Sequence, residues 1–190
     1  MQFSLFGAEA AEPVLADLDG LLLAGGDWVR TDNATAARLS VLVDRPWRAD
    51  ALRAEFAARE LESDTAEAPG ALIAVRSEIT PRLLADAARW TRGASLRVPS
   101  PLTLSPSGLR LWAIATGRTD ESGFLLGVAD PSGDLHRAAG AQLAKLGIAA
   151  VAVGVRGGPG WRVTSLKRLR RLAELLGEAP DGAGLDWPAR

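Results

Sequence analysis

The sequence has no cysteine and no tyrosine, a single histidine, His136, and only two lysines, Lys145 and Lys167. Without cysteine, disulfides, thiolate nucleophiles and zinc–thiolate sites are excluded. With one imidazole, HExxH-type metal clusters and every site that needs two histidines are excluded as well. Hydrolytic chemistry would have to rest on carboxylates, serine, threonine or lysine. Long hydrophobic runs are also missing: Leu21 to Ala24 and Ile148 to Val153 stop well short of the ~20 residues that span a bilayer. The first residues, which soon reach Glu9 and Glu12, lack the positive flank and apolar stretch of a signal peptide, so a cytoplasmic protein with no membrane partner is expected.

What is present is enough apolar material for a core, 47% of 190 residues, with 24% charged. The net charge of −1 argues against a globally basic nucleic-acid binder and leaves the distribution of charge to decide. All cations except the two lysines are arginine, in a chain rich in alanine and glycine, which is a composition bias that weakens inference from arginine abundance alone.

An internal repeat emerges when the sequence is slid against itself by 88 positions. Gly20-Leu21-Leu22-Leu23 meets Gly108-Leu109-Arg110-Leu111, and Arg30-Thr31-Asp32 meets Arg118-Thr119-Asp120. Further on, Val75-Arg76-Ser77 meets Val163-Thr164-Ser165, and the block from Arg82 to Asp86 meets that from Arg170 to Glu174. Between these blocks an offset of 86 sets Arg38 to Asp44 against Phe124 to Asp130. The stretch 91–107, with Pro99, Pro101 and Pro106, has the composition of a connector. The lobes are therefore placed at 1–92 and 108–178, with a linker at 93–107 and a loose tail at 179–190.

Local signals give each lobe the same order. Pro13 opens a helical spacing that ends at Gly25-Gly26. Strands are predicted near Trp28 to Thr31, over Ala37 to Val43 and over Ala71 to Arg76, with helices from Arg48 to Leu61 and from Thr80, as N-cap, to Trp90. In the second lobe a helix from Ser107 or Gly108 to Thr116 precedes a strand from Gly123 to Val128, and Asp134 to Leu146 forms the next helix. Strands from Ala149 to Val155 and from Trp161 to Thr164 flank a hairpin turn at Gly157 to Gly160, and a helix from Ser165 to Leu176 follows. The fold class is α+β: tandem duplicated αββαββα halves with mixed or antiparallel sheets. His136 reads as a surface residue, and the tryptophans at 28, 47, 90, 112 and 161 read as core anchors.

This order in two joined halves resembles the single-chain LAGLIDADG homing-endonuclease fold, in which the first helix of each half packs against its mate along a pseudo-twofold axis. Leu23-Ala24-Gly25-Gly26-Asp27 is similar to a worn version of the family motif, with Asp27 where a metal-binding acid stands. The second half has Ala115 at that place. The resemblance implies one carboxylate per half holding divalent metal, a requirement that Asp27 alone does not meet; Asp32 and Asp120 form a symmetric pair that offers a substitute. It therefore implies a catalytically inactive, non-enzymatic copy with no catalytic residue, metal or cofactor, kept for binding double-stranded DNA or a nucleic-acid enzyme. A monomer accommodates this reading.

The residues expected to make that contact are Arg30, Arg38, Arg76, Arg156 and Arg162, on the polar side of the strand alternation opposite Leu39, Val41, Val75, Val155 and Val163. Lys167-Arg168-Leu169-Arg170-Arg171 reads as the solvated face of the last helix. Two alternatives stand beside this reading. Asp17-Leu18-Asp19-Gly20 and Ala115-Thr116-Gly117-Arg118 resemble motifs of the haloacid dehalogenase phosphatases, which implies a magnesium-dependent phosphatase with Asp17 at the end of a strand. The other is a protein-interaction scaffold that binds no nucleic acid.

Overall fold

Proline and glycine punctuate the helices much as the sequence predicts. The computed structural model describes residue 8 and residues 11–93, 95–129 and 133–188. A single 3₁₀ turn, Leu15–Leu18, runs into a short helix α1, Asp19–Leu23, which stops at Gly25, where φ is +95° and a side chain is disfavoured. The hairpin β1, Asp27–Arg30, and β2, Ala37–Val43, leads to α2, Pro46–Ala57. Strands β3, Ser63–Ala68, and β4, Leu72–Ser77, follow, then a 3₁₀ turn, Pro81–Leu83, and α3, Leu84–Trp90. A two-rung hairpin, β5 at Thr91–Arg92 and β6 at Ser95–Leu96, opens the connection between the halves.

The second half repeats the order with α4, Pro106–Thr116, β7, Arg118–Asp120, β8, Gly123–Gly127, α5, Asp134–Lys145, β9, Val151–Val153, β10, Gly160–Val163, and α6, Leu166–Leu176. Serine hydroxyls cap two of these helices: Ser105 accepts from the Gly108 amide and Ser165 from the Arg168 amide. The strand orders are β1-β2-β4-β3 and β7-β8-β10-β9, and every pairing is antiparallel. The architecture is thus α+β, with two αββαββα halves of identical strand order.

One apolar core joins the halves. Leu39, Val41 and Val75 from the first sheet and Phe124, Leu126 and Val163 from the second turn inward toward Leu21, Leu22, Leu23, Leu109 and Trp112. At the crossing of α1 and α4 the two glycines matched by the 88-residue shift meet: a Cβ on Gly20 would lie 1.8 Å from the Gly108 carbonyl oxygen. Only bare backbone permits this approach.

A buried polar network ties the same elements together. Asp17 accepts from the Val14 amide at 3.0 Å, from Arg59 at 2.9 Å and from the Ser105 hydroxyl at 2.6 Å. Glu55 bridges Arg59 and Arg110, each at 2.8 Å, and Arg110 in turn donates to the Leu176 carbonyl at 2.7 Å, at the end of α6. Asp19 accepts from Trp90 Nε1 at 2.5 Å and from Arg89 at 2.9 Å.

Several expectations are corrected here. Asp17 sits in a 3₁₀ turn, not at the end of a strand, and its carboxylate is consumed by three donors, so the phosphatase reading fails. The chain from 179 onward is not loose as far as it is described: Trp187 is buried and its indole contacts the Gly177 carbonyl, because a large ring has apolar surface to hide beside α6. The linker also packs, with Leu102 and Leu104 in the core. His136 is buried, stacked on Trp161 at 4.8 Å between ring centroids, with Nε2 at 3.2 Å from the Gly160 carbonyl. The 86-residue offset pairs outward Arg38 with inward Phe124, a register that alternation forbids; its last residue, Asp130, lies outside the described residues.

Candidate nucleic-acid interface

Helices cover one face of each sheet, so alternation turns every second residue to a face that no helix covers. In the first sheet the register pairs Val29 with Arg38, and Ser40 with Arg76, which pairs on with Asp64. Since Leu39, Val41 and Val75 point inward, the open face carries Asp27 and Val29 from β1, Arg38, Ser40 and Leu42 from β2, Ala74 and Arg76 from β4, and Asp64 from β3. Arg76 is held by Asp64 at 2.6 Å, an ion pair of limited strength at this exposure. Arg38 has no ion pair among the described residues, and its Nε has no hydrogen-bond partner.

Arg30 is placed elsewhere. It pairs with Ala37 on the helix-covered face and its guanidinium donates to the Thr91 hydroxyl, because hairpin register, and not polarity, decides which way a strand residue points. Arg156 also leaves the expected strand: it lies exposed in a 3₁₀ turn, Val155–Gly157, where the chain turns between β9 and β10.

The second sheet supplies a guanidinium that sequence alternation does not reveal. Leu125 is paired with Arg118 on one side and Arg162 on the other, on the face turned away from the helices; Leu125 is itself fully buried there, Arg162 half-buried and Arg118 exposed. Arg162 binds Asp120 at 2.6 Å. Asp120 also accepts from the Ser122 amide at 2.8 Å. Burial pushes the Asp120 carboxyl up, but the Ser122 amide, the Arg162 hydrogen bond and the Arg162 and Arg118 charges together outweigh it and hold the carboxyl below its ordinary value. Arg118 carries no ion pair among the described residues.

The ends of α1 and α4 border a cleft of about 290 Å³, lined among others by Ala24, Asp44, Arg48, Thr116, Arg118 and Ala129. Arg48 reaches into it from α2 and donates to the Ile114 and Gly117 carbonyls, each at 2.6 Å, closing the C-terminal turn of α4. Burial lowers the Arg48 pKa, opposed by Asp44 and Asp186. Among the described residues Asp44, 3.1 Å from Arg48 Nε, is the one carboxylate lining the cleft, beside two guanidiniums. That donor set does not fit a divalent cation. Asp27 lies on the open face of β1, Asp32 is exposed in the β1–β2 turn, and Asp120 is engaged by Arg162, so the structure does not bring the three together. Among the described residues no group of three or more histidine, aspartate and glutamate side chains is arranged to hold a metal, and no helix is long and apolar enough to cross a membrane.

No protein-family profile matches the chain, and no curated protein matches it in sequence. Solved structures match it in shape. Full-length DUF199/WhiA from Thermatoga maritima superposes with a TM-score of 0.62 at 15% identity, over 88% of this chain and 56% of that one. The homing endonuclease I-WcaI bound to its DNA recognition sequence superposes with a TM-score of 0.58 at 7% identity, over 88% of this chain and 84% of that one. The chain therefore spans little more than half the length of the WhiA chain. Together with the antiparallel sheets and the paired first helices, these likenesses give the chain a LAGLIDADG-like fold.

Proposed function

We propose that the chain is a non-cleaving nucleic-acid-binding module that contacts phosphates through the open faces of its two sheets. The observation that carries this reading is the presence of an unpaired guanidinium on each open face, Arg38 on the first sheet and Arg118 on the second. Arg76 and Arg162 stand beside them, held in place by Asp64 and Asp120. Guanidiniums match phosphate oxygens in a bidentate fashion. The absence of cleavage rests on the helix ends, where arginine and alanine stand in place of a carboxylate pair. I-WcaI, a structure of the same fold, is seen bound to DNA, which supports the choice of ligand.

The test is duplex-DNA binding followed by fluorescence anisotropy across a salt series. Arg38→Gln combined with Arg118→Gln should reduce the slope of log affinity against log salt by about 2, at about 0.9 for each phosphate that is no longer neutralised. An unchanged slope refutes the placement. With magnesium or manganese added, the DNA should remain intact.

A second reading has its own observation. Val29 and Leu42, 40% and 51% exposed, lie on the same open face as Arg38 and offer apolar area to a protein partner, such as a nucleic-acid enzyme. A captured protein together with blank gel shifts selects that reading.

A further inference from the structure

Helix α6 is charged against its own dipole. Lys167, Arg168, Arg170 and Arg171 occupy its first two turns, and its first turn contains no acidic residue. The N-terminus of a helix carries partial positive charge, so cations there are disfavoured. Pairs three and four residues apart, Lys167 with Arg170 and Arg171, and Arg168 with Arg171, add like-charge repulsion on the helix surface. Arg171 is relieved by Glu174 at 3.4 Å, whereas Lys167, Arg168 and Arg170 have no ion pair among the described residues. The helix carries four cations and one anion in a chain whose net charge is −1, so the remainder of the molecule is acidic. Folding alone does not account for concentrating charge where it opposes the helix.

At about 100° per residue these four side chains fan over roughly 160° of the helix circumference. The other side, with Leu172, Ala173 and Leu176, is buried, and so is Leu175, which lies beneath the cations in the last turn. The result is a basic ridge, whose four cations line a hollow together with Gly147 and Glu174. This ridge belongs to the helical layer, not to the open sheet faces.

We infer that the basic ridge of α6 is a second nucleic-acid contact, which takes the phosphate backbone of a duplex along a groove. Cations fanned over roughly 160° of a helix are matched by an anionic surface that reaches around it. The major groove, about 12 Å wide, admits a helix and presents phosphates on both walls, whereas an acidic peptide lies along one side and leaves the other cations without partners. Three of the four cations are arginines, which suit phosphate forks. The ridge stands independently of the sheet-face reading and, combined with it, lets one molecule hold two segments of nucleic acid.

The test is the triple variant Lys167→Gln, Arg168→Gln, Arg170→Gln in the full chain, measured with a short mixed-sequence DNA duplex and with polyglutamate. The salt slope for the duplex should fall by about 3. The melting temperature should hold or rise, since repulsion and the dipole conflict are removed; a lower slope with an intact melt excludes simple misfolding. The ridge is overturned if the duplex slope is unchanged, or if polyglutamate binding is lost while duplex binding persists. The Arg38→Gln, Arg118→Gln variant, measured alongside, separates the two surfaces. If it alone abolishes duplex binding, the ridge falls and the sheet faces stand; if only the triple variant does so, the sheet faces fall and the ridge stands.

Discussion

Replacing Gly20 with alanine tests the contact on which the two halves depend. The added methyl carbon would lie 1.8 Å from the Gly108 carbonyl oxygen, 2.7 Å from its carbon and 3.1 Å from its Cα, where ordinary contact begins near 3.4 Å. Every one of these atoms is backbone, so no rotamer relieves the overlap; the helices must move apart and open the core around Leu21, Leu22, Leu109 and Trp112. Overpacking of a core costs about 1–3 kcal/mol, and a clash of backbone with backbone belongs at the top of that range or above it. Against this, alanine gains roughly 1 kcal/mol over glycine in helix propensity. The net loss is about 2–4 kcal/mol, or roughly 5–15 °C in the melting temperature of a domain this size. Gly108→Ala is the internal control: its nearest obstacles are the rotatable Leu104 Cδ1 at 2.8 Å and the Asp17 carbonyl oxygen at 3.1 Å, so its loss should be the smaller of the two. Thermal melts followed by circular dichroism decide. A Gly20→Ala protein that melts within about 2 °C of the parent, or a Gly108→Ala protein that loses more, refutes the crossing geometry.

Asp17→Ala leaves Arg59 buried without its carboxylate and should lower unfolding free energy in urea by about 3 kcal/mol, the low end for a broken buried pair because Glu55 still holds Arg59. Trp187→Ala should cost about 3 kcal/mol in the same assay, where a loose tail would cost nothing. Asp19 carries a pH signature: burial favours its neutral form and, although Trp90 and Arg89 oppose this, raises its carboxyl above the ordinary 3.8. The folded state therefore holds this proton more tightly than the unfolded state. Its stabilising contribution is complete below pH 3.8 and is lost as pH rises through the raised value. The stability of the parent relative to Asp19→Asn should decline over that interval, and a flat difference sinks the assignment.

Element order was readable wherever burial imposed a period. Ala37–Val43 is a strand over the residues predicted, because Leu39, Val41 and Val43 all reach the core. The turns at Gly25 and Thr80 were equally legible. Strand β3 was not: Ser63–Ala68 is an edge strand whose residues are half-buried or exposed, so no apolar alternation marks it. The three residues of β7 escaped notice for a different reason. Arg118-Thr119-Asp120 matches Arg30-Thr31-Asp32 in sequence, but the first tripeptide is the whole strand while the second begins on the last residue of β1 and leaves it. That displacement hid Arg118 and put Arg30 on the wrong face. The missing information was hairpin length, two residues between β7 and β8 but six between β1 and β2, and loop length sets register. Trp187 and His136 are buried by tertiary packing that no local pattern announces.

The two halves agree where packing is at stake and differ where chemistry would be. Gly20 and Gly108 meet at the crossing, Val75 and Val163 take the same inward place on β4 and β10, and the strand orders are identical. At the helix ends the correspondence stops. The terminus of α1 closes on Gly25, packed toward Ala129, whereas the terminus of α4 is closed by Arg48, whose guanidinium spans the Ile114 and Gly117 carbonyls. A cation committed to those carbonyls lowers the free energy of α4 and simultaneously places positive charge where a hydrolytic metal would need negative ligands. Introducing a single acid, for example by Ala115→Asp, would set a carboxylate beside Arg48 and give an ion pair before it gave a metal site. Installing a metal site here therefore requires removing Arg48 as well, and removing Arg48 uncaps α4 at the centre of the fold.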